Sequence, residues 1–266
     1  GTVYGNWHPS GRYGVFSTNK IIPAFHSDPA KRLEVYDTRS DLCVADFETG
    51  ETITSPLVTL TQAELETFPC FSADGNYIYY CSAPNPCDTI PSASDMQPHI
   101  GQLHYNLKRI GFEASSGTFG SNIETIVDAE GALSVNFPRC SPDGRWLSYV
   151  KSSNGTFPIW HMESRIMLQD IDNPSSPIDS TLVHATYHSW SHNSKWIAFA
   201  SKQYDTQYSR IYLIHVDAEG HFSEPLCLPQ ADPSHDDMNL RSYNIPDLAP
   251  MPVPFGHDDV KRLMEN

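Results

Sequence analysis

Four stretches of the chain align with one another without gaps, and this internal repeat constrains the fold more than any other feature. Each copy opens with Tyr or Phe, has an apolar residue at its fourth position, and passes through turn-forming residues into aromatic and aliphatic ones. The copies are residues 4–16, 68–80, 137–149 and 187–199. Pro, Asp, Ser and Gly favour a tight reversal, and apolar residues at every second position are typical of strands. Each copy is therefore predicted to form a strand, a tight turn and a second strand.

A third and a fourth strand are predicted to follow each copy. The third is an aliphatic run, which ends in Asp after three of the copies, and the fourth is short. The predicted third strands are residues 42–46, 107–112, 166–170 and 211–217. The predicted fourth strands are residues 56–60, 124–127, 181–183 and 225–228. Because four strands per repeated unit make a propeller blade, the sequence predicts an all-β protein, a β-propeller with four recognisable four-stranded blades.

The repeat also predicts how the chain is divided. The blades are expected at approximately residues 1–60, 61–128, 129–184 and 185–229, and a Pro-rich tail or linker at 230–266. Within this tail, residues 241–246 could add a closing strand and residues 260–264 could form a helix.

The segments between the second and third strands are longer than a minimal blade requires. Residues 22–41 and 83–101 are rich in Pro, Ser and Asp and are predicted to be long surface loops. A short helix at 30–36 is the alternative for part of the first loop. One helical turn is predicted at 61–66, where Thr61 and Glu64 have the spacing of a capping box.

An excess of acidic residues narrows the range of partners. The 266-residue chain has 17 Lys and Arg against 32 Asp and Glu, a formal net charge of −15. A field of that sign repels phosphate groups, so nucleic acid and anionic membranes are not expected partners. The sequence has no run of about 18 apolar residues, so no transmembrane segment is predicted.

Common catalytic and cofactor signatures are absent from the sequence. It has no G-x-S-x-G, H-E-x-x-H, P-loop, G-x-G-x-x-G or C-x-x-C motif, so no catalytic residue, metal site or cofactor is predicted. His-Asp-Asp occurs at 235–237 and 257–259, but adjacent side chains rarely converge on one ion, and Asp before a helix is ordinary capping. Cys81 and Cys87 flank a short loop, and the sequence leaves open whether they form a disulfide or remain reduced.

The positions of several histidines can be explained without a catalytic or metal-binding role. His184, His188 and His192 are four residues apart, a spacing that would place them on one face of a helix. Because a strand and a turn are predicted there instead, we expect surface or strand-end residues. His161 follows an aromatic residue in a predicted loop, and we expect it to be structural.

A candidate site follows from the course of the first strands. If these strands line a central channel, the residue before the apolar fourth position points away from the blade core. These residues are Asn6, Cys70, Arg139 and Ser189, and His188 precedes the last of them. Converging polar groups indicate a small-ligand funnel, and a guanidinium in an acidic protein indicates a carboxylate ligand. We predict Asn6, Arg139, His188 and Ser189 as channel-lining, ligand-binding residues; the alternative is a water-filled channel without a ligand.

Two of the copies resemble a known repeat. Phe-Ser-Ala-Asp-Gly-Asn-Tyr-Ile (71–78) and Cys-Ser-Pro-Asp-Gly-Arg-Trp-Leu (140–147) resemble the F-S-P-D-G-x-x-[IL] core of WD40-like, TolB-type β-propellers. The other two copies depart from this core, and the resemblance covers approximately residues 1–229. It implies a periplasmic or extracellular protein that binds a protein partner in the cell envelope and has no catalytic activity.

The resemblance leaves the number of blades and the activity open. Similar propellers usually have about six blades or more. Four copies are compatible with three alternatives: further blades before residue 1, a blade completed by the tail, or a small closed ring. The expected function is a non-catalytic, envelope-associated scaffold for a protein or small-ligand partner. The alternative is a lyase or glycosidase that acts on a glycan or polyol in the channel, which would place His, Asp or Arg around a metal at its mouth.

Overall fold

Four antiparallel sheets, each of four strands, make up the body of the protein, and strands that are consecutive in the chain are neighbours in each sheet. The computed structural model describes residues 2–24, 34–60, 63–87, 95, 97–130, 132–174, 176–232 and 234–264. The sheets are arranged as the blades of a propeller. The all-β fold and the four four-stranded blades predicted from the sequence are therefore confirmed.

The first two blades contain the longest strands. Blade 1 consists of β1 (Thr2–Trp7), β2 (Tyr13–Ala24), β3 (Glu34–Asp46) and β4 (Thr52–Ile53). Blade 2 consists of β5 (Glu64–Phe71), β6 (Tyr77–Pro84), β7 (Asn106–Glu113) and β8 (Thr118–Val127).

The last two blades are smaller. Blade 3 consists of β9 (Ser134–Cys140), β10 (Trp146–Ser152), β11 (Arg165–Asp170) and β12 (Ile178–Asp179). Blade 4 consists of β13 (His188–Trp190), β14 (Trp196–Ser201), β15 (Arg210–His215) and β16 (Leu226–Cys227). Short 3₁₀ helices occur at Gln97–Gln102 and Pro158–Trp160.

Each repeat copy forms the strand, tight turn and strand that its residues predict. A backbone hydrogen bond of 2.9 Å closes the turn in all four copies, and its donor always has a positive φ, from 57° to 79°. Glycine adopts this left-handed conformation without the clash that a Cβ causes, which explains its place in three copies. The donors are Gly11, Gly75, Gly144 and Ser194.

Three local predictions are wrong. The predicted fourth strand at 56–60 is a turn in which buried Val58 packs into the core, and the observed strand is β4. In blade 3 the fourth strand is β12, and no strand forms at 181–183, where Thr181 has a left-handed φ of 59°. The helical turn predicted at 61–66 is replaced from Glu64 onward by β5, and residues 61–62 lie outside the described part of the chain.

The first predicted long loop is also shorter than expected, whereas the second, at 83–101, follows the end of β6 and lies partly outside the described residues. Strands β2 and β3 extend the first hairpin well into the 22–41 segment, with Ile22 paired to Tyr36. The alternative helix at 30–36 is a strand from Glu34 onward, and residues 25–33 lie outside the described part. Long β-branched and aromatic runs favour strand pairing over a loop.

The aromatic residues that open the four copies meet at the axis of the propeller. The ring centroids of Tyr4 and Phe68 are 4.4 Å apart, those of Phe68 and Phe137 5.3 Å, and those of Phe137 and Tyr187 4.9 Å. Phe68 and Phe137 are fully buried. We call these four residues the axial aromatic cluster.

Backbone irregularities direct these rings toward the axis. Tyr4, Phe68 and Phe137 have φ values of 52°, 51° and 51°, and the strand register shifts at each of them. A bulge adds one residue to a strand and redirects its side chain, and a left-handed non-glycine residue persists only where packing compensates for the strain. The tilted and edge-to-face contacts of the axial aromatic cluster supply that packing.

Three junctions between consecutive blades are packed by buried apolar residues. Blades 1 and 2, blades 2 and 3, and blades 3 and 4 each contribute to a shared hydrophobic cluster. Members of these clusters include Val15 and Ile78, Tyr79 and Leu147, and Leu168 and Ile197.

The junction between blades 4 and 1 is different. Among the described residues, the cluster that contains the core of blade 4 includes no buried residue of blade 1, and only the partly buried Tyr4 and Val35 of blade 1 pack against it. Trp7 and Phe47 of blade 1 make a tilted ring contact with centroids 4.6 Å apart, yet they are 60% and 53% exposed. In the part of the chain that the structure describes, the propeller therefore has three packed junctions and one open side.

The C-terminal segment runs back along blade 4. It contains two helices, α1 (His235–Met238) and α2 (His257–Met264), and the helix predicted at 260–264 is part of the second. Residues 241–246 are irregular, although the backbone N–H of Tyr243 donates to Ser209 O at 3.0 Å.

Two glycines with nearly the same backbone conformation test the packing of blade 2 on blade 1. Gly75 and Gly11 have φ of 78° and 76°, but a Cβ on Gly75 would overlap the buried ring of His8, whereas one on Gly11 would meet nothing. Gly11→Ala should lower the free energy of unfolding by about 1–2 kcal/mol through backbone strain. Gly75→Ala should lower the free energy of unfolding by about 1–3 kcal/mol more than Gly11→Ala does, because the new methyl group overpacks against His8. Urea unfolding measures both, and equal losses would contradict the described packing of His8.

Candidate functional site

A cavity of about 620 Å³ lies on the open side of the propeller, between β1 of blade 1 and β13 of blade 4. We call it the inner cleft. Its walls come from residues 3–7 and 188–190, its third side from the end of β9, and its fourth from residues 245–247 of the C-terminal segment. The four residues predicted to line a channel all line this cavity: Asn6, Arg139, His188 and Ser189.

The position of the cavity differs from the predicted central channel. The axial aromatic cluster fills the axis, so polar residues of the first strands collect beside it rather than around an open channel. Cys70 was predicted with this group, but it is only 2% exposed and does not line the inner cleft. Blade 2 therefore contributes no wall to this cavity.

Asn6 links two blades. Its Oδ1 accepts the backbone N–H of Phe71 at 2.9 Å, a contact between blades 1 and 2. This bond leaves the amide NH₂ as the group that Asn6 can offer to the cavity.

Arg139 supplies a positive charge to the inner cleft. Its guanidinium lies 3.9 Å from the centre of the Phe137 ring, and its Nη1 donates to Pro138 O at 2.9 Å. Burial lowers the pKa of Arg139, and the neighbouring Cys70 and Asp247 oppose that shift. Among the described residues, no carboxylate forms an ion pair with this guanidinium, although several other arginines have one.

His188 is fully buried and neutral. Its Nδ1 lies 3.2 Å from Thr186 O, and its Nε2 lies 2.8 Å from Ser148 Oγ. Because a carbonyl oxygen only accepts, Nδ1 carries the proton, and Nε2 lies beside a serine hydroxyl that donates to Arg139 O at 3.0 Å. Burial and the charge of Arg139 lower the pKa of His188 to about 3.

Ser189 has an unused polar group. The residue is 8% exposed, and its buried Oγ has no hydrogen-bond partner in the described structure. A buried hydroxyl without a partner costs free energy, so a group at the wall of a cavity is available to a ligand.

The fourth wall is held in place by a residue that the sequence did not indicate. Arg210 is 2% exposed, and it donates to Arg241 O at 2.9 Å, Asp236 O at 2.7 Å and Asn239 O at 3.0 Å. These bonds fix the C-terminal segment against blade 4, upstream of Asp247 in the cleft wall. No motif relates Arg210 to a segment about thirty residues later, so only the structure identifies this contact.

The structure also locates the other histidines and the two cysteines that flank a loop. His184 is fully buried in a turn, so the expectation of a surface or strand-end position is wrong for this residue. His188 is at a strand end, as expected, because it is the first residue of β13. His161 is buried and lies 3.3 Å from Glu163. Cys81 and Cys87 are not bonded to each other.

The acidic residues near histidines already have protein partners. Asp236 lies 3.3 Å from Arg210, Asp237 accepts from Tyr204 OH, and Asp259 accepts the backbone N–H of Gly256. Asp217, Glu219 and His221 form a surface group in the described part of the chain whose spacing would admit a cation. Asp217 accepts the backbone N–H groups of the other two, which is ordinary turn geometry.

Comparisons with known proteins support the fold. No family model and no curated protein matches the sequence. The structure of an oligogalacturonate lyase in complex with manganese is similar with a TM-score of 0.51 and 13% identity, over 85% of this chain and 53% of the lyase. TolB from Acinetobacter baumannii has a TM-score of 0.47 and 14% identity, over 87% of this chain and 45% of TolB.

A puromycin hydrolase is also similar, with a TM-score of 0.49 and 12% identity, over 86% of this chain and 39% of the hydrolase. The chain spans about half the length of TolB and of the lyase, and less of the hydrolase. Identities this low relate the fold of these proteins and not their activities. In the described residues, no helix is long and apolar enough to cross a membrane.

The burial of His188 predicts a pH dependence of stability. The unfolded chain takes up a proton below the ordinary histidine pKa of 6.5, whereas the folded protein does so only near 3. The unfolding free energy should therefore fall as the pH drops through 6.5, by about 2 kcal/mol at about pH 5. His188→Gln should remove this fall, whatever its absolute stability. His192→Gln, at an exposed position, is the control. The unfolding free energy is measured by urea unfolding at several pH values, and an equal dependence on pH in wild type and His188→Gln would refute the assignment.

Proposed function

We propose that the protein is a non-catalytic β-propeller scaffold that binds a partner through a carboxylate group held in the inner cleft. The observation that carries this proposal is Arg139, a guanidinium at the wall of the cleft with which no carboxylate forms an ion pair among the described residues. The unpartnered Oγ of Ser189 adds a second polar group to the same cavity.

The net charge of the protein supports a selective role for the Arg139 guanidinium in binding a carboxylate. The chain has a net charge of −15, so its overall field repels acidic ligands. A carboxylate therefore gains attraction only where it reaches the guanidinium itself. Hydrogen bonds to charged groups contribute about 1.5–3 kcal/mol, enough to favour one such position.

The state of His188 favours binding over catalysis. The alternative function, a lyase or glycosidase acting on a glycan or polyol, needs a histidine that binds metal or exchanges a proton. Both ring nitrogens of His188 are hydrogen-bonded inside the protein, and its pKa is far below neutrality. Arg139 and Asp247 remain at the cleft, but they form no acid–base pair with this histidine.

The partner and the compartment rest on the resemblance to TolB-type propellers. A protein of the cell envelope, exposed in the periplasm or outside the cell, is the partner class that this resemblance implies. A small carboxylate ligand would use the same guanidinium. Binding of peptides compared with binding of small carboxylic acids separates a protein partner from a small ligand.

The test compares short peptides that have a free C-terminal carboxylate with the same peptides as C-terminal amides, and with small carboxylic acids. Isothermal titration should detect binding of at least one carboxylate class and none of the amides. Arg139→Gln should weaken that binding roughly 10- to 100-fold. Arg145→Gln is the matched control because Arg145 is exposed and pairs with Asp170.

Two outcomes would overturn the proposal. The first is binding that is unaffected by Arg139→Gln or by amidation of the peptide. The second is turnover of oligogalacturonate in the presence of manganese, followed by the ultraviolet absorbance of unsaturated products, which would favour the lyase alternative.

A further inference from the structure

We propose that the protein binds Ca²⁺ between the long β2–β3 hairpin of blade 1 and strand β5 of blade 2. The ligands that the side chains supply are three oxygen atoms, Asn19 Oδ1, Asp37 Oδ1 and Ser40 Oγ. We call these three residues the hairpin oxygen cluster. The cluster is separate from the inner cleft, because none of its residues lines that cavity.

The register of the hairpin places the three side chains on one face of the sheet. Asn19 pairs with Ser40, and Ile21 pairs with Asp37, because a bulge between these two pairs leaves Thr38 without a cross-strand partner. Side chains that are directly opposite in an antiparallel pair lie on the same face, and residues 19 and 21 share a face because the side-chain period of a strand is two. Without the bulge, Asp37 would be on the other face.

Hydrogen bonds bring two of these side chains together and fix their orientation. Asn19 Nδ2 donates to Asp37 Oδ2 at 2.7 Å and to Thr67 Oγ1 of β5 at 3.0 Å. Because an ionised carboxylate only accepts, the amide nitrogen faces these two oxygens, and Asn19 Oδ1 is the other end of the amide. Thr67 immediately precedes Phe68 in β5, so the cluster lies where blade 1 meets the first strand of blade 2.

The cluster contains buried oxygen atoms that the protein itself does not satisfy. Asn19 Oδ1, Asp37 Oδ1 and Ser40 Oγ are all buried and have no hydrogen-bond partner in the described structure. Asp37 is fully buried, and Ser40 is 2% exposed. Most buried polar atoms in folded proteins have a partner, so three such atoms on one face of one hairpin indicate a bound ion or water.

The carboxylate of Asp37 favours an ion over water. In the part of the chain that the structure describes, no Lys, Arg or His forms an ion pair with it, and the buried Glu66 of β5 adds negative charge to its surroundings. A buried charge requires a counter-charge or a metal ion. Burial raises the pKa of Asp37 to about 8 in the absence of a cation, so a cation that binds there displaces a proton.

The donor atoms determine the class of ion. A carboxylate, an amide oxygen and a hydroxyl are hard ligands, and the hairpin oxygen cluster has no sulfur or imidazole to favour zinc or copper. Ca²⁺ accepts about six to eight oxygens in flexible geometry, including backbone carbonyls and water, whereas Mg²⁺ requires a nearly ideal octahedron. Because the cluster contains a single carboxylate, we expect a Kd of about 10⁻⁴–10⁻³ M, the weak end of calcium sites.

The experiment uses the full-length chain, freed of metal with a chelator, dialysed and titrated with CaCl₂. Isothermal titration measures the affinity, and thermal unfolding measures the stabilisation. The Tm of the wild type should rise with the Ca²⁺ concentration and should rise less with MgCl₂. Asp37→Asn keeps the size of the side chain, removes the charge, and should weaken Ca²⁺ binding at least about tenfold. Ser40→Ala should weaken it by a smaller factor.

Asp217→Asn is the matched control, because Asp217 belongs to the surface group that could also attract a cation. This variant should bind Ca²⁺ in the hairpin with the wild-type affinity. A wild-type Tm that does not respond to Ca²⁺ would overturn the proposal, and so would equal affinities of wild type and Asp37→Asn, or a loss of binding in Asp217→Asn alone. If Asp37→Asn does not fold, an unchanged affinity in Ser40→Ala contradicts the site. The carboxylate-binding test uses other residues, so either proposal can fail without the other.

Discussion

The packing of four aromatic rings at the axis is the interaction on which the rest of the structure depends. Each ring opens one repeat copy, and three of the four sit at a bulge with a left-handed backbone. That conformation is unfavourable for an isolated Tyr or Phe, so the strands and the rings stabilise each other. Phe68 is the centre of the cluster because its ring contacts those of Tyr4, Phe137 and Tyr187. Four short sheets thereby share one hydrophobic core.

The filled axis also determines where a ligand can enter. Because the rings close the centre, the polar residues of the first strands are left at the open side between blades 1 and 4. The cavity there contains two polar side chains that differ in how far their hydrogen-bonding or ion-pairing groups are already used within the protein. His188 is fully bonded inside the protein, whereas Arg139 keeps a charge without a carboxylate partner in the described residues. This contrast is the physical basis for assigning binding rather than catalysis to the cleft.

The sequence predicted the features that depend on local chemistry. The turns at Gly75 and Gly144 follow from residues that favour a positive φ, and the strands follow from alternation. The bulges could not be predicted because Phe68 and Phe137 look like ordinary strand residues, and the filled axis follows from them. The burial of His188 depends on Ser148, forty residues away. The position of the C-terminal segment in the cleft wall likewise depends on hydrogen bonds of Arg210 that no sequence motif or residue spacing predicts.

Native-state hydrogen exchange tests most directly whether the axial aromatic cluster unites the four blades. The amides of β1, β5, β9 and β13 should exchange last and with the same free energy of opening, since one core protects them. Replacing Phe68 with Ala should lower that free energy in all four strands together, by about 3–5 kcal/mol. If protection fell in blade 2 alone while the other first strands kept theirs, the blades would be independent units and the account would be wrong.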